Sequence, residues 1–299
     1  RNGCSQMNIG FFIEFPREEL HKLSMIDFPV RIYLAANSLQ EFRELEKIAR
    51  EVKPDIEVAY WPLLEKSHWV SPFSYNQELD RLHEDLSNND QPLEILLDLE
   101  LPKFWLRYII YHIPRVIANA LKYHLRFRKP RIRNLFRERE RYNIEITVTS
   151  YPVTSKFYLL NYFTFKLFGL LGVHFNPKAY SHNVIFMCYS SIRRDLLRKT
   201  LKNISRRKKF RHHYQVGLGL LDYGLLSRTG FIQKLQRLNL LKKFSLLTPE
   251  ELERDVALVM EYGVEDITIY GIGGLEQDFV KVLRNFNNYQ LINKSLISR

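Results

Sequence analysis

A chain of 299 residues with 45% hydrophobic and 13% aromatic side chains can bury a large core, and its length suits one closed α/β barrel as well as two smaller domains. No uninterrupted apolar run reaches the roughly eighteen residues of a membrane-spanning helix, so an integral helical membrane protein is not expected. The net charge of +12 is local: residues 122–141 contribute +7 and residues 193–211 contribute +9, leaving the rest of the chain at −4, which confines any affinity for polyanions to those two segments.

Short apolar runs rich in β-branched and aromatic residues alternate with helical patterns nearly to the end, the form taken by repeated βα units. In chain order the predicted strands are GFFIEF (10–15), VRIYLAAN (30–37), IEVAYWPL (56–63), LEILLDLE (93–100), IEITVTSY (144–151), NVIFMCYS (183–190), YQVGLGLL (214–221) and DITIYGIG (266–273). Eight is the number that closes a barrel. Ser38 with Glu41, Ser74 with Gln77 and Thr248 with Glu251 are spaced as capping boxes, in which each partner satisfies a backbone donor left free at a helix N-terminus. With Pro249 at the first helical position and Gly263 at the left-handed C-terminal position, TPEELERDVALVMEYG is the clearest helix, and QDFVKVLRNF is the last. The connections at 103–143 and 223–247 are longer than a barrel helix requires and read as helical elaborations. The expected fold is α/β, a single (β/α)8 TIM barrel domain over residues 1–299 with long helical insertions after the fourth and seventh strands. Neither repeats nor low-complexity tracts argue for a separate domain.

The stretch LEILLDLELP (93–102) sets Asp98 and Glu100 two apart in an apolar run. Alternation puts Ile95, Leu97, Leu99 and Leu101 on one face, suited to packing under helices, and turns Leu96, Asp98 and Glu100 toward the barrel interior. The same test sends Phe11, Ile13 and Phe15 outward and Glu14 inward. Inward residues near the C-terminal ends of strands line the site of such a barrel. They are Glu14, Asn37, Trp61, Asp98, Glu100, Tyr151, Tyr189 and Tyr270, joined by His174, Asn176 and Asp222 from adjoining loops.

This set is rich in acids and aromatics and poor in cations, which disfavours a phosphate site. GIGG (271–274) reads first as a tight strand-to-helix turn and second as a phosphate cradle. Glu14, Asp98, Glu100 and His174 lack HxH or HExxH spacing, so no metal is expected, and no cofactor. Acids flanked by rings suit sugar chemistry, in which one carboxyl protonates the departing glycosidic oxygen and a second supports the oxocarbenium-like charge. Glu100 is the expected acid, raised by burial and by the charge of Asp98, with Asp98 and Glu14 as supporting carboxylates. Asn37, Trp61, Tyr151, His174, Asn176, Tyr189, Asp222 and Tyr270 are expected to bind substrate. The competing reading is a satisfied polar layer and ordinary core packing of the rings.

These residues resemble the TIM-barrel glycoside hydrolases, and among them the chitinase-like family whose fourth strand ends Asp-x-Glu-x-Pro. Asp98-Leu99-Glu100-Leu101-Pro102 matches that ending, and Met187-Cys188-Tyr189 is similar to its sixth-strand Met-x-Tyr. The resemblance implies that Glu100 donates the proton while Asp98 and Tyr189 orient a substrate N-acetyl group. The sequence departs from the pattern at Leu93 and Leu96, where the family has aspartates, at Ser190 in place of an acid, and at Tyr270 in place of tryptophan. The resemblance therefore speaks for the superfamily rather than for chitin.

The apolar helix predicted at 155–172 lies in sequence between the two basic segments. Together 122–141, 155–172 and 193–211 are expected to offer rings framed by cations, the pattern of a peripheral anionic membrane surface. The favoured reading is that the insertion covers the apolar helix and leaves a solvated basic face; an anionic membrane surface or a protein partner comes second and, without a reader motif, nucleic acid last. Only Cys4 and Cys188 occur, excluding a disulfide framework, and Cys188 reads as a buried inert thiol. With no signal-peptide pattern at the start, a cytoplasmic location is expected. A non-catalytic barrel that binds a glycan or a protein partner is the rival to the hydrolase.

Overall fold

The computed structural model describes residues 7–70, 74–99, 129–150, 182–191, 194–205, 213–224 and 246–297. Its strands close into one parallel barrel in chain order: β1 (Asn8–Ile13), β2 (Val30–Ala36), β3 (Ile56–Pro62), β4 (Leu93–Asp98), β5 (Ile144–Ser150), β6 (Asn183–Met187), β7 (Tyr214–Leu218) and β8 (Asp266–Tyr270). The described helices are α1 (Pro16–Glu19), α2 (Leu39–Val52), α3 (Asn76–Ser87), α4 (Lys129–Arg137), α5 (Arg194–Ser205), α6 (Pro249–Glu261) and α7 (Gln277–Ile297). This is the (β/α)8 class expected from the sequence. Most of the two predicted insertions, and the helix predicted at 155–172, lie outside the described residues. Backbone contacts group the chain into two compact units, Arg1–Leu34 with Leu45–Val58 and Ile185–Arg299, and Ala35–Glu44 with Ala59–Val184.

In the first unit, the direction of the side chains follows from one buried oxygen. The Tyr33 hydroxyl donates to Gln215 Oε1 at 3.3 Å, and Thr268 Oγ1 reaches the same atom at 3.5 Å. Strands β2 and β7 are not neighbours in the ring, so these side chains meet across the interior. Paired residues of parallel neighbours share a face, and the pairs Phe12 with Tyr33, Phe12 with Tyr270 and Gly217 with Thr268 therefore turn Phe12, Gly217 and Tyr270 inward as well. Phe11, Ile13, Ile32, Leu34, Ile267 and Ile269 take the opposite face and are buried.

In the second unit, Tyr60 pairs with Ile95, and its ring lies 5.0 Å from that of Phe42 on α2. That face is the outer one. Alternation leaves Trp61, Leu96 and Asp98 inward, with Leu96 paired to Thr147 and Asp98 to Thr149. The parity expected for the acid-bearing fourth strand is the one observed.

Helix starts follow the sequence where a hydroxyl is free to act. Thr248 and Glu251 form both halves of a capping box, at 3.2 and 3.3 Å, and Gly263 adopts φ 65° beyond the end of α6. Ser38 Oγ accepts from Glu41 N at 3.1 Å, but the Glu41 carboxylate reaches the Asn37 backbone and amide instead, at 2.9 and 3.0 Å. The Ser74–Gln77 box is a correction: Ser74 donates to the Trp69 carbonyl at 2.9 Å and Tyr75 precedes α3 without a side-chain cap. The cause is Glu78, whose buried carboxylate takes the Ser67 hydroxyl and the Lys66 N–H, each at 2.6 Å, and draws that loop over the helix start.

Several strands end earlier than predicted. Around β6 and β7 the reason is visible in side-chain bonds that replace the ladder: Ser191 Oγ donates to Gly219 O at 2.7 Å and accepts from Leu220 N at 2.8 Å, while Ser190 donates to buried Asp255 of α6. Cys188 is buried, and burial pushes its thiol up to about 12, as an inert core cysteine should be.

In the basic segments, Arg131 pairs with Asp80 at 2.7 Å, Arg141 with Glu138 at 3.3 Å and Lys199 with Asp195. The apolar side of α4, Ile132, Leu135 and Phe136, is buried. Among the described residues no helix is long and apolar enough to cross a membrane.

Candidate active site

Asp98 closes β4 and is 6% exposed. A carboxylate this deep needs hydrogen-bond donors, and Thr149, its partner residue on β5, supplies one: Thr149 Oγ1 donates to Asp98 Oδ1 at 2.6 Å. One layer below, Thr147 Oγ1 donates to Glu94 Oε1 at 2.9 Å. The β-branched threonines thus serve the strand by propensity and the inward carboxylates by chemistry. Thr149 was legible by the same alternation that selects Asp98, since it precedes Tyr151 by two in IEITVTSY. Trp61, also inward, is 2% exposed and packs as core rather than lying open as a platform.

In the first unit a second inward carboxylate follows β1. Glu14 is 6% exposed, and the Tyr270 hydroxyl at the end of β8 donates to its Oε2 at 2.6 Å. Burial, then the charge of Glu14 and the hydrogen bond to it, hold the Tyr270 phenol well above the usual tyrosine range, with Tyr189 and Asp222 adding to the effect. Tyr270 therefore stays a neutral donor. Its ring stands 6.0 Å from Phe12 and 5.8 Å from the half-buried Tyr189.

The loops after β7 and β8 interlock with this cluster. Asp222 Oδ1 accepts from Gly224 N at 2.6 Å. Gly224, at φ 49°, sits so close that a Cβ there would strike both the Tyr270 hydroxyl and the Glu14 carboxylate. Nothing in the sequence marks Gly224 for this contact. GIGG is the tight turn of the first reading: Gly271 has φ 88°, and a Cβ on Gly273 would meet the Asp222 carboxylate. A carboxylate there opposes a bound phosphate.

Asn37 is exposed and tied to Glu41. It shares a cavity with Tyr60, whose face of β3 is the outer one. Glu100, Tyr151, His174 and Asn176 lie outside the described residues. Among the described residues, no group of three or more His, Cys, Asp or Glu side chains is arranged to hold a metal ion. Near the C-terminal ends of their strands, Asp98 in the second unit, held by Thr149, and Glu14 in the first, held by Tyr270, each present a fixed carboxylate oxygen suited to taking a proton or facing a developing positive charge.

No family model matches the sequence, and no curated protein does. Among solved structures, the chain is similar to the C-terminal domain of a candidate chitinase from Desulfitobacterium hafniense DCB-2, with TM-score 0.55 and 10% identity over 96% of this chain and 99% of that one. It also aligns with the PgaB glycoside hydrolase domain from Bordetella bronchiseptica, with TM-score 0.47 and 11% identity over 96% and 98%. A third alignment is with the coenzyme F420 dependent tetrahydromethanopterin reductase from Methanopyrus kandleri, with TM-score 0.48 and 8% identity over 93% and 97%. The first of these likenesses bears on the barrel fold alone.

Proposed function

We propose that the chain is a hydrolase of glycosidic bonds in a carbohydrate or glycoconjugate, working by carboxylate acid/base catalysis. The observation that carries this reading is Asp98: a carboxylate 6% exposed, turned inward at the C-terminal end of β4 and held by Thr149 at 2.6 Å. Burying such a group is costly unless its charge is used. In the proposal Glu100, two residues on, protonates the leaving oxygen. Asp98 stays ionised beside it, keeping the Glu100 proton in place before the reaction and facing the positive charge that develops during it. Glu14 is a supporting carboxylate whose Oε2 is fixed by Tyr270. Tyr189 belongs to the substrate-facing rings, and Tyr151, His174 and Asn176 complete the substrate contacts.

The test is a panel of chromogenic hexosides and N-acetylhexosaminides and of polymeric glycans, assayed with the wild type and with E100Q and D98N. Loss of a general acid should cost roughly 10²–10⁴-fold in rate, with melting behaviour unchanged in E100Q. A panel that yields no cleavage, or an E100Q enzyme as fast as the wild type, would remove the proposal.

A further inference from the structure

A cavity of about 220 Å³ opens on the outer side of β3, against α3 and the loop that follows β3, within the second unit. It is far larger than the roughly 10–15 Å³ that one water needs and smaller than the roughly 300–1,000 Å³ of sites for drug-sized ligands. A single six-membered ring with its substituents is the scale it fits. Trp61, the next residue on the strand, has the opposite parity and points inward, so this space is separate from the barrel interior beside it.

The hydrogen-bond inventory of the lining defines the chemistry. Tyr60 is 1% exposed, yet its hydroxyl makes no hydrogen bond to any described residue. Tyr60 lines the cavity, so its hydroxyl opens onto that space and is free to bond whatever occupies it. Asp85 accepts from Leu39 N through Oδ2 at 3.3 Å, leaving Oδ1 open. Asn37 uses its amide nitrogen on Glu41, leaving its oxygen. Glu78 is committed to Lys66 and Ser67, and Glu65 and Arg81 stand at the exposed mouth, 3.9 Å apart. Leu63, Leu64 and Leu82 form apolar walls.

Inside that mouth, where Arg81 is the cation, the groups left open are a phenol, which can give its hydrogen or accept, and two oxygens that only accept. A ligand must donate to Asp85 and Asn37, and only one that also accepts makes use of the Tyr60 hydrogen. Hydroxyl groups do both; an ammonium only donates and leaves the Tyr60 hydrogen unused, and a phosphate or carboxylate only accepts and would face Asp85. The geometry points to a binding site for one sugar-sized neutral polyol on the outer face of β3, with Tyr60 and Asp85 as its polar contacts and Leu63, Leu64 and Leu82 against its C–H faces. The site does not rest on the hydrolase reading.

The test uses the full chain with glucose and myo-inositol as polyol probes, choline as the cation and inorganic phosphate as the anion, followed by methyl NMR titration. The expected result is saturable binding of at least one polyol with shifts at the Leu63, Leu64 and Leu82 methyls. Y60F keeps the ring against Phe42 and should weaken polyol binding by about 2–10-fold. D85N, which removes a charged acceptor, should weaken it by about tenfold or more. E100Q should leave the binding unchanged, which separates this site from the proposed catalytic one. Saturation by choline or phosphate instead of the polyols, no polyol binding, shifts confined to other methyls, or full polyol affinity in both Y60F and D85N would each overturn the inference.

Discussion

The Tyr270 hydroxyl donates to Oε2 of Glu14 at 2.6 Å, joining the end of β8 to the residue that follows β1. Both groups face inward, and the acceptor is a carboxylate only 6% exposed. Hydrogen bonds to charged groups contribute about 1.5–3 kcal/mol, and a buried charge left short of a donor costs as much again. Y270F should therefore lower stability by about 1.5–3 kcal/mol in urea unfolding, while Y270F/E14Q should recover part of that loss. Equal losses in the single and double variants would show that the pair does not couple.

Asp98 and Thr149 make the corresponding prediction in the second unit. T149V keeps the β-branched shape on β5 but removes the donor to Asp98 Oδ1. We expect a loss of about 1.5–3 kcal/mol at neutral pH. The loss should shrink in a D98N background, because an amide carries no charge to be left unsupported. Under the proposed chemistry, T149V should also reduce turnover more than it raises KM, since it disturbs the placement of a charge rather than the binding of substrate. A variant with wild-type unfolding midpoint and rate would leave Thr149 as an ordinary strand residue.

The barrel was legible because its signals are local and repeated. Each strand carries a period-two pattern, and Thr248, Pro249 and Gly263 mark both ends of α6 by their own chemistry. The inward turn of Asp98 followed from parity alone. What alternation does not encode is which partner a polar group chooses. Ser74 has the spacing of a cap but bonds Trp69, because Glu78 takes Ser67 and Lys66. Ser191 ends the pairing near β6 and β7 by bonding Gly219 and Leu220, a contact set by loop geometry. The role of Gly224 depends on its approach to Glu14 and Tyr270, more than 200 and about 45 positions away in sequence, which no local pattern reports.

That approach supports a third prediction. At φ 49° an alanine at position 224 pays about 1–2 kcal/mol for its left-handed backbone, and its methyl group would press on the Tyr270 hydroxyl and the Glu14 carboxylate. G224A should therefore destabilise by more than the backbone term alone and should weaken the coupling between Glu14 and Tyr270 in the double-variant cycle above. A loss confined to the backbone term, with that coupling intact, would mean that the loop yields instead.

The buried phenols predict how the protein fails in base. Burial, with the charges of Asp85 and Glu41, holds Tyr60 well above the usual tyrosine range, and burial with the charge of Glu14 does the same for Tyr270. In the unfolded chain both ionise near pH 10. Below that value they are protonated in both states and the pH leaves their contribution unchanged; above it the unfolded state sheds protons that the folded state keeps, so unfolding gains. Each such tyrosine should steepen the fall of stability by up to about 1.4 kcal/mol per pH unit above pH 10. Urea unfolding between about pH 9 and 11 should show this fall, with a shallower slope in Y60F and in Y270F than in the wild type. Equal slopes in all three proteins would mean that neither phenol keeps its proton in the folded chain.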